Sequence, residues 1–332
     1  MARLDKKLSR ILAGEATPKD FIIADAKDGD MGFAVTAPGP RIGPKGKPAG
    51  GYKTLTEYLD QMKAIVEQDL VDIMLTSVSS YERLSGDGTF KGSKVTPAIR
   101  ANDTTDIWNT RHAVYLKEAS RPFRSADLAH AKRLGCDLCL YSVTFVNDLD
   151  ADLRTLEAFR EFRADAEKVG IRYFLEVFNS NVDTGIAPKD IGQFVNDCIV
   201  HALAGLSKAE RPLFLKIAYN GADAMKELSS YDDQLVVGIL GGSAGTAADT
   251  FTLLKQASDH GARVALFGRK INLAESPLDV VAMMRKVVEG KFTPEQAVHA
   301  YHEALAEKKI APFRPLKEDL KVTESILVAE TR

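Results

Sequence analysis

Apolar and polar positions alternate on two scales along the chain. Short runs rich in β-branched residues recur eight times, at 21–25 (FIIAD), 71–77 (VDIMLTS), 97–101 (PAIRA), 137–143 (DLCLYSV), 172–178 (RYFLEVF), 212–218 (PLFLKIA), 235–240 (LVVGIL) and 263–267 (RVALF). Longer stretches with helical period, such as 55–66 and 152–167, lie between most of them. Several runs are entered through a glycine that closes a helix: Gly135, Gly170 and Gly261. Runs that are nearly all apolar predict parallel strands covered on both faces. Eight such strands alternating with helices predict an α/β protein, a (β/α)8 barrel, with residues 1–332 as one barrel domain. An open doubly wound sheet alternates too. The count, and glycines at the ends of the last two strands, favour the barrel.

The same pattern places the remaining pieces. A helix over 4–12 precedes the first strand and is positioned to cap the barrel floor. Another, over 293–306, opens with the capping sequence Thr-Pro-Glu. Two Gly-rich stretches, 36–52 after the first strand and 84–95 after the second, are expected on the catalytic face as lids. Their plain alternative is surface loop.

Alternation also assigns faces. On the sixth strand Leu213, Leu215 and Ile217 oppose Phe214, Lys216 and Ala218, which points Lys216 into the barrel. A buried lysine is costly unless paired or uncharged. Desolvation favours the neutral amine, and a neutral amine attacks carbonyls. A salt-bridged structural lysine is the even alternative. On the fifth strand Glu176 points inward, as a partner for Lys216 or another cation. On the fourth, leucines assigned to the helix side leave Tyr141 facing inward, as a proton donor or acceptor or as a buried hydroxyl. On the first, Asp25 and Lys27 share a face at the strand end, placed for acid–base work or for a satisfied ion pair. Gly241-Gly242-Ser243 after the seventh strand and Gly268-Arg269 after the eighth mark the two strand ends where this fold commonly binds phosphate, unless the glycines only serve tight turns.

Other motifs carry less. Cys136-x-x-Cys139 reads as packing, and His299-x-x-His302 as a surface pair on a late helix. No histidine directly follows a strand, so no metal site is expected. The chain has 44 Lys+Arg, 46 Asp+Glu and a net charge of -2, which gives no field to hold nucleic acid or an anionic membrane. Three cysteines make no disulfide framework. The charged start MARLDKKLSR has no signal-peptide core. A cytoplasmic protein is expected.

The segment Leu215-Lys216-Ile217-Ala218-Tyr219-Asn220-Gly221 resembles the lysine segment of the archaeal-type class I fructose-bisphosphate aldolases, in the superfamily that includes deoxyribose-phosphate aldolase. That family reads roughly Met-Lys-Ile-Lys-Tyr-Thr-Gly there, and its first lysine forms a Schiff base. Gly241-Gly242-Ser243 is similar to the family's phosphate loop. Gly268-Arg269 is similar to its Gly-Arg-Asn, with Lys270 in place of Asn. Leu140-Tyr141-Ser142 is similar to its Gly-Tyr-Thr, which carries a catalytic tyrosine. The family has Asp-His-Gly after strand one, and Asp25, or alternatively Asp28, answers its aspartate. The resemblance covers strands four to eight well and the first third poorly. It implies a cofactor-independent Schiff-base aldolase acting on a small phosphorylated carbonyl compound, as a homo-oligomer. Lys216 is then the nucleophile, Tyr141 or Asp25 moves the hydroxyl proton, and Glu176 or Lys27 tunes the lysine. Gly241, Gly242, Ser243, Gly268 and Arg269 hold the phosphate. The rival readings are thiolase-like acyl transfer to coenzyme A on the same lysine, a non-catalytic phosphosugar-binding protein, and an isomerase or decarboxylase built on Lys27.

Overall fold

A computed structural model describes residues 2–43 and 46–329. Eight parallel strands close into a barrel: β1 (Ile22–Lys27), β2 (Ile73–Thr76), β3 (Thr96–Arg100), β4 (Leu138–Thr144), β5 (Arg172–Phe178), β6 (Leu215–Ile217), β7 (Gly238–Leu240) and β8 (Val264–Phe267). Each strand pairs with its sequence neighbours, and β8 pairs with β1 through Ile22↔Val264 to Asp25↔Phe267. All eight expected strands are present. No helix among the described residues is long and apolar enough to cross a membrane.

Two separate apolar layers follow from the alternation. The inner one holds Ile22, Ala24, Ile73, Leu75, Ala98, Leu138, Leu140, Phe174, Phe214, Val264 and Leu266. The outer one, between strands and helices, holds Ile23, Met74, Ile99, Cys139, Tyr141, Leu175, Ile217 and Phe267. Two faces are therefore the reverse of expectation. On β4 the leucines fill the barrel and Tyr141 packs outward, stacked on Phe162 of helix α4 (Leu149–Val169) at 4.2 Å between ring centres. On β1 the inward residues are Ile22, Ala24 and Ala26, so Asp25 and Lys27 lie outside the barrel. The Cys136 and Cys139 thiols are buried in the outer layer, as packing.

The floor is closed by helix α1 (Arg3–Leu12), as expected, with Leu4 and Leu8 entering the inner layer. Its polar side makes an ionic lock. The Asp72 carboxylate meets Lys7 at 2.8 Å, Arg3 at 3.0 Å and, from helix α6 (Pro277–Val288), Arg285 at 2.9 Å. It also accepts the Ile23 amide at 2.9 Å. The cations in turn bond carbonyls that leave the strands unpaired: Lys7 and Arg285 to Phe21, Arg285 to Leu70.

Helices α2 (Leu55–Gln68) and α3 (Val78–Gly86) follow the first two strands. Because α3 begins directly after β2, the stretch 84–95 starts in the last turn of that helix and leads into β3. It lies at the amino end of the barrel, opposite the face expected for it. The first insertion does rise from the carboxyl face, as a hairpin of Pro40–Ile42 and Pro48–Tyr52; its Pro44 and Lys45 lie outside the described residues. The second insertion on that face follows β3 instead, over 101–127. It carries a small hairpin of Asp103–Thr104 and Pro122–Phe123. Trp108 braces it, packed edge-on against Phe123 at 4.8 Å and donating to Asp103 at 2.9 Å. Arg111 from this insertion lies over the Tyr52 ring of the first, 5.9 Å from its centre, so the two arches meet.

Asp72→Asn is expected to destabilise the protein by about 3 kcal/mol at pH 7, because it strands buried cations. Burial alone would raise the Asp72 carboxyl, but Arg285 and Lys7 outweigh it and hold its pKa low. Its stabilisation is therefore complete above the unfolded carboxylate pKa of about 3.9 and fades as pH falls through the lower folded value. Urea unfolding should show the gap between wild type and variant narrowing below about pH 4.

Candidate active site

At the carboxyl end of the barrel the inner face changes from apolar to charged. Ser142, Glu176 and Lys216 lie side by side on β4, β5 and β6, in the registers Ser142↔Glu176 and Lys216↔Glu176. Each continues an inward row whose residue below, Leu140, Phe174 or Phe214, is apolar. Arg100 ends β3 above Ala98, and Asp28 follows β1 above Ala26. All five polar residues are buried; Lys216 is 5% exposed and Glu176 1%.

They form one network. Lys216 Nζ lies 2.5 Å from Glu176 Oε1. Glu176 Oε2 accepts from Arg100 Nη2 at 2.9 Å and Ser142 Oγ at 2.7 Å. Arg100 Nη1 donates to Ser142 Oγ at 2.8 Å, and Arg100 Nε to Asp28 Oδ2 at 2.5 Å. Asn102 ties the backbone beside it, donating to the Ser142 carbonyl at 2.8 Å and accepting the Ser142 amide at 2.6 Å. Burial would raise the Asp28 carboxyl, but the Arg100 and Lys216 cations outweigh it and hold its pKa below the usual range. Burial likewise opposes the Arg100 charge, but the Asp28 and Glu176 carboxylates override it and raise its pKa. The site therefore holds ionised groups in a dry place, where they act strongly on a bound charge.

Above this network is a cavity of about 510 Å³. Asp28, Arg100, Glu176 and Lys216 line its depth, and Phe33, Ile107, Leu116 and Phe178 its walls. One side is formed by Gly241, Gly242, Gly268 and Arg269. Gly242 has φ +67°, which favours glycine, and a Cβ on Gly268 would come within 3.0 Å of the Ala26 carbonyl oxygen. Arg269 faces the Phe33 ring at 5.4 Å. Ser243 is exposed and does not line the cavity.

A carboxyl-terminal segment clasps these glycine-bearing ends. Asp249, in helix α5 (Ala247–Asp259), caps the helix through Thr246 and accepts the Thr323 amide at 2.6 Å and the Glu324 amide at 3.1 Å. Glu324 holds Lys270 at 2.7 Å, which turns that lysine away from the cavity and leaves Arg269 facing it. His302, in helix α7 (Pro294–Glu307), is no surface residue: it meets Asp319 at 3.0 Å, and Asp319 accepts the Ala247 amide at 2.9 Å.

Of the residues singled out in the sequence, Lys216, Glu176, Gly241, Gly242, Gly268 and Arg269 line the cavity. Asp28, of the two candidate aspartates, is the one in the cavity. Asp25 and Lys27 are fully buried behind β1, in ionic contact at 3.2 Å and with no other hydrogen-bond partner among the described residues. Burial pushes the Asp25 carboxyl up and the Lys27 amine down. Neither lines the cavity, and neither does Tyr141. Arg100 and Ser142 were missed, although each shares its strand's inward parity. No group of His, Cys, Asp and Glu among the described residues is arranged to hold a metal ion.

No protein-family model and no curated protein matches the sequence. Solved structures do. An archaeal fructose 1,6-bisphosphate aldolase matches with a TM-score of 0.61 and 13% identity, over 86% of this chain and 99% of that one. A Schiff-base-forming fructose-1,6-bisphosphate aldolase matches at 0.60 and 14%, over 86% and 99%. A Corynebacterium glutamicum protein matches at 0.59 and 16%, over 87% and 94%. At these identities the likeness is one of fold: the chain has the barrel that Schiff-base aldolases use.

The Asp25–Lys27 pair yields a structural prediction. Lys27→Met alone leaves a buried carboxyl unpaired and is expected to cost about 3–5 kcal/mol, whereas Asp25→Leu with Lys27→Met is expected to be near neutral. Urea midpoints of the two variants would show it; equal losses would mean that the pair has a role beyond mutual compensation.

Proposed function

We propose that the protein is a Schiff-base lyase that cleaves or forms a carbon–carbon bond in a small phosphorylated carbonyl compound. The reading rests on one observation above all: a buried lysine amine at the bottom of an open cavity, 2.5 Å from a carboxylate whose other oxygen is already held by Arg100 and Ser142. The likeness in fold to Schiff-base aldolases supports it.

In this mechanism Glu176 takes a proton from the Lys216 ammonium, and the free amine adds to the substrate carbonyl. Glu176 returns the proton to the carbinolamine hydroxyl, which leaves as water and gives an iminium. A base then removes the proton from the hydroxyl on the β carbon. The bond between the α and β carbons breaks, its electron pair moves into the iminium to form an enamine, and an aldehyde departs. Protonation at carbon and hydrolysis release the ketone and the lysine. Glu176 is the proton carrier within reach. Asp28, kept ionised by Arg100, balances the iminium charge. Arg269 is the cavity-lining cation without an ion pair among the described residues. With the backbone of Gly241, Gly242 and Gly268 it is suited to hold the phosphate, and that remote binding positions the reacting carbons.

Borohydride reduction with dihydroxyacetone phosphate, followed by peptide mass analysis, is expected to mark Lys216. Lys216→Ala should abolish both adduct and turnover, and Glu176→Gln should lower turnover about 100-fold or more. Tyr141→Phe should stay within about threefold of wild type, because its ring lies in the outer layer. Turnover that requires coenzyme A, or ligand affinity without an adduct, would sink the lyase reading.

A further inference from the structure

The cavity is electrically lopsided in a way that bears on its substrate. Three carboxylates line it, those of Asp28, Asp106 and Glu176, against three cations, Arg100, Lys216 and Arg269. Arg100 is taken up by Asp28 and Glu176, and Lys216 by Glu176. Of the lining cations among the described residues, Arg269 alone is left for an anionic ligand, beside the glycines that follow β7 and β8.

The opposite wall has the reverse character. In the closed strand order, β3 and β4 stand across from β7 and β8. Here the second insertion brings Asp106, Ile107, Asn109 and Leu116, the last residue of β5 is Phe178, and the segment after β5 brings Asn181. Asp106 is buried and accepts from Thr144 Oγ1 at 2.7 Å and Ser120 Oγ at 3.0 Å. The Asn181 amide is held in one orientation, because its Nδ2 donates to the carbonyls of Leu116 at 3.1 Å and Glu118 at 2.6 Å. Its Oδ1 is shielded from solvent and takes no hydrogen bond from the described residues. An unpaired buried acceptor gains from a hydroxyl donor. A phosphate dianion offers no proton, and it would meet a carboxylate and an amide oxygen with no cavity-lining cation on that wall.

We infer that the site takes a substrate with a single phosphate, on the half bound near Arg269, and an uncharged hydroxylated half against Asn181 and the second insertion. The inference rests on the lyase reading for which half is the ketone, but its charge argument is independent of the chemistry. The substrate class is a ketose monophosphate phosphorylated at the ketone end, and the released aldehyde is a neutral hydroxyaldehyde.

Calorimetry on Lys216→Ala, which makes no imine, tests the charge argument alone. Fructose 1-phosphate is expected to bind at least about tenfold more tightly than fructose 1,6-bisphosphate. Asn181→Ala in that background should weaken the monophosphate by about tenfold and leave inorganic phosphate binding unchanged. With wild type, condensation on dihydroxyacetone phosphate should favour glyceraldehyde over glyceraldehyde 3-phosphate by a similar factor. Equal or tighter binding of the bisphosphate overturns the inference, whether or not the lyase reading survives. Preference for the monophosphate without a borohydride adduct on Lys216 would instead uphold the inference and defeat the lyase.

Discussion

The guanidinium of Arg100 is the group on which the site depends. Without it, Asp28 and Glu176 would share a buried space with one ammonium between them, and one carboxyl would have to take up a proton or move away. With it, the Asp28 carboxyl is held below its usual pKa, and each carboxylate keeps a defined position. Arg100 occupies one oxygen of Glu176 together with Ser142, which leaves the other oxygen on Lys216. The planar, always-charged fork of arginine suits this; a lysine has no rigid fork with which to hold both carboxylates.

The rest of the barrel serves to hold that row of side chains dry and in register. Below it lies an apolar inner layer, and α1 closes the bottom with Leu4 and Leu8. The two ionic clusters at opposite ends of the barrel differ in kind. Around Asp72 three cations and a backbone amide surround one carboxylate, and nothing there opens to a cavity of the catalytic face. Around Arg100 two cations and two carboxylates balance, and they face an opening. Stability is thus concentrated at the amino end and chemistry at the carboxyl end, as is general for this fold. The clasp of Asp249, Thr323 and Glu324 carries rigidity from the outer helices to the glycines beside the cavity.

Much of this was legible in the sequence, and the failures have physical causes. Strand identity was clear because parallel strands buried on both faces read as continuous apolar runs. That same property hid the faces. On β6 the inward Lys216 marked the parity, and on β5 Glu176 did so. On β4 no charge broke the run, and aliphatic residues were assigned to the helices by default. In fact the lower barrel is filled by aliphatic side chains, and α4 supplies Phe159 and Phe162 to receive Tyr141. On β1 a carboxylate and an amine two residues apart looked like chemistry, but such a pair compensates itself and can be buried anywhere. Arg100 carried no local signal: its meaning comes from Asp28 and Glu176, which lie 72 and 76 positions away in the chain. Likewise, α3 is short and ends in Ser-Gly, so the loop after it read as the loop before it.

The most direct test is a crystal structure of the protein after borohydride reduction with dihydroxyacetone phosphate. The account predicts continuous density from Lys216 Nζ to the former carbonyl carbon. Glu176 should lie within hydrogen-bond reach of the new secondary amine, and the phosphate against Gly242, Gly268 and Arg269. An adduct on Lys27 or any other lysine, or a phosphate seated on the Asn181 side of the cavity, would contradict it.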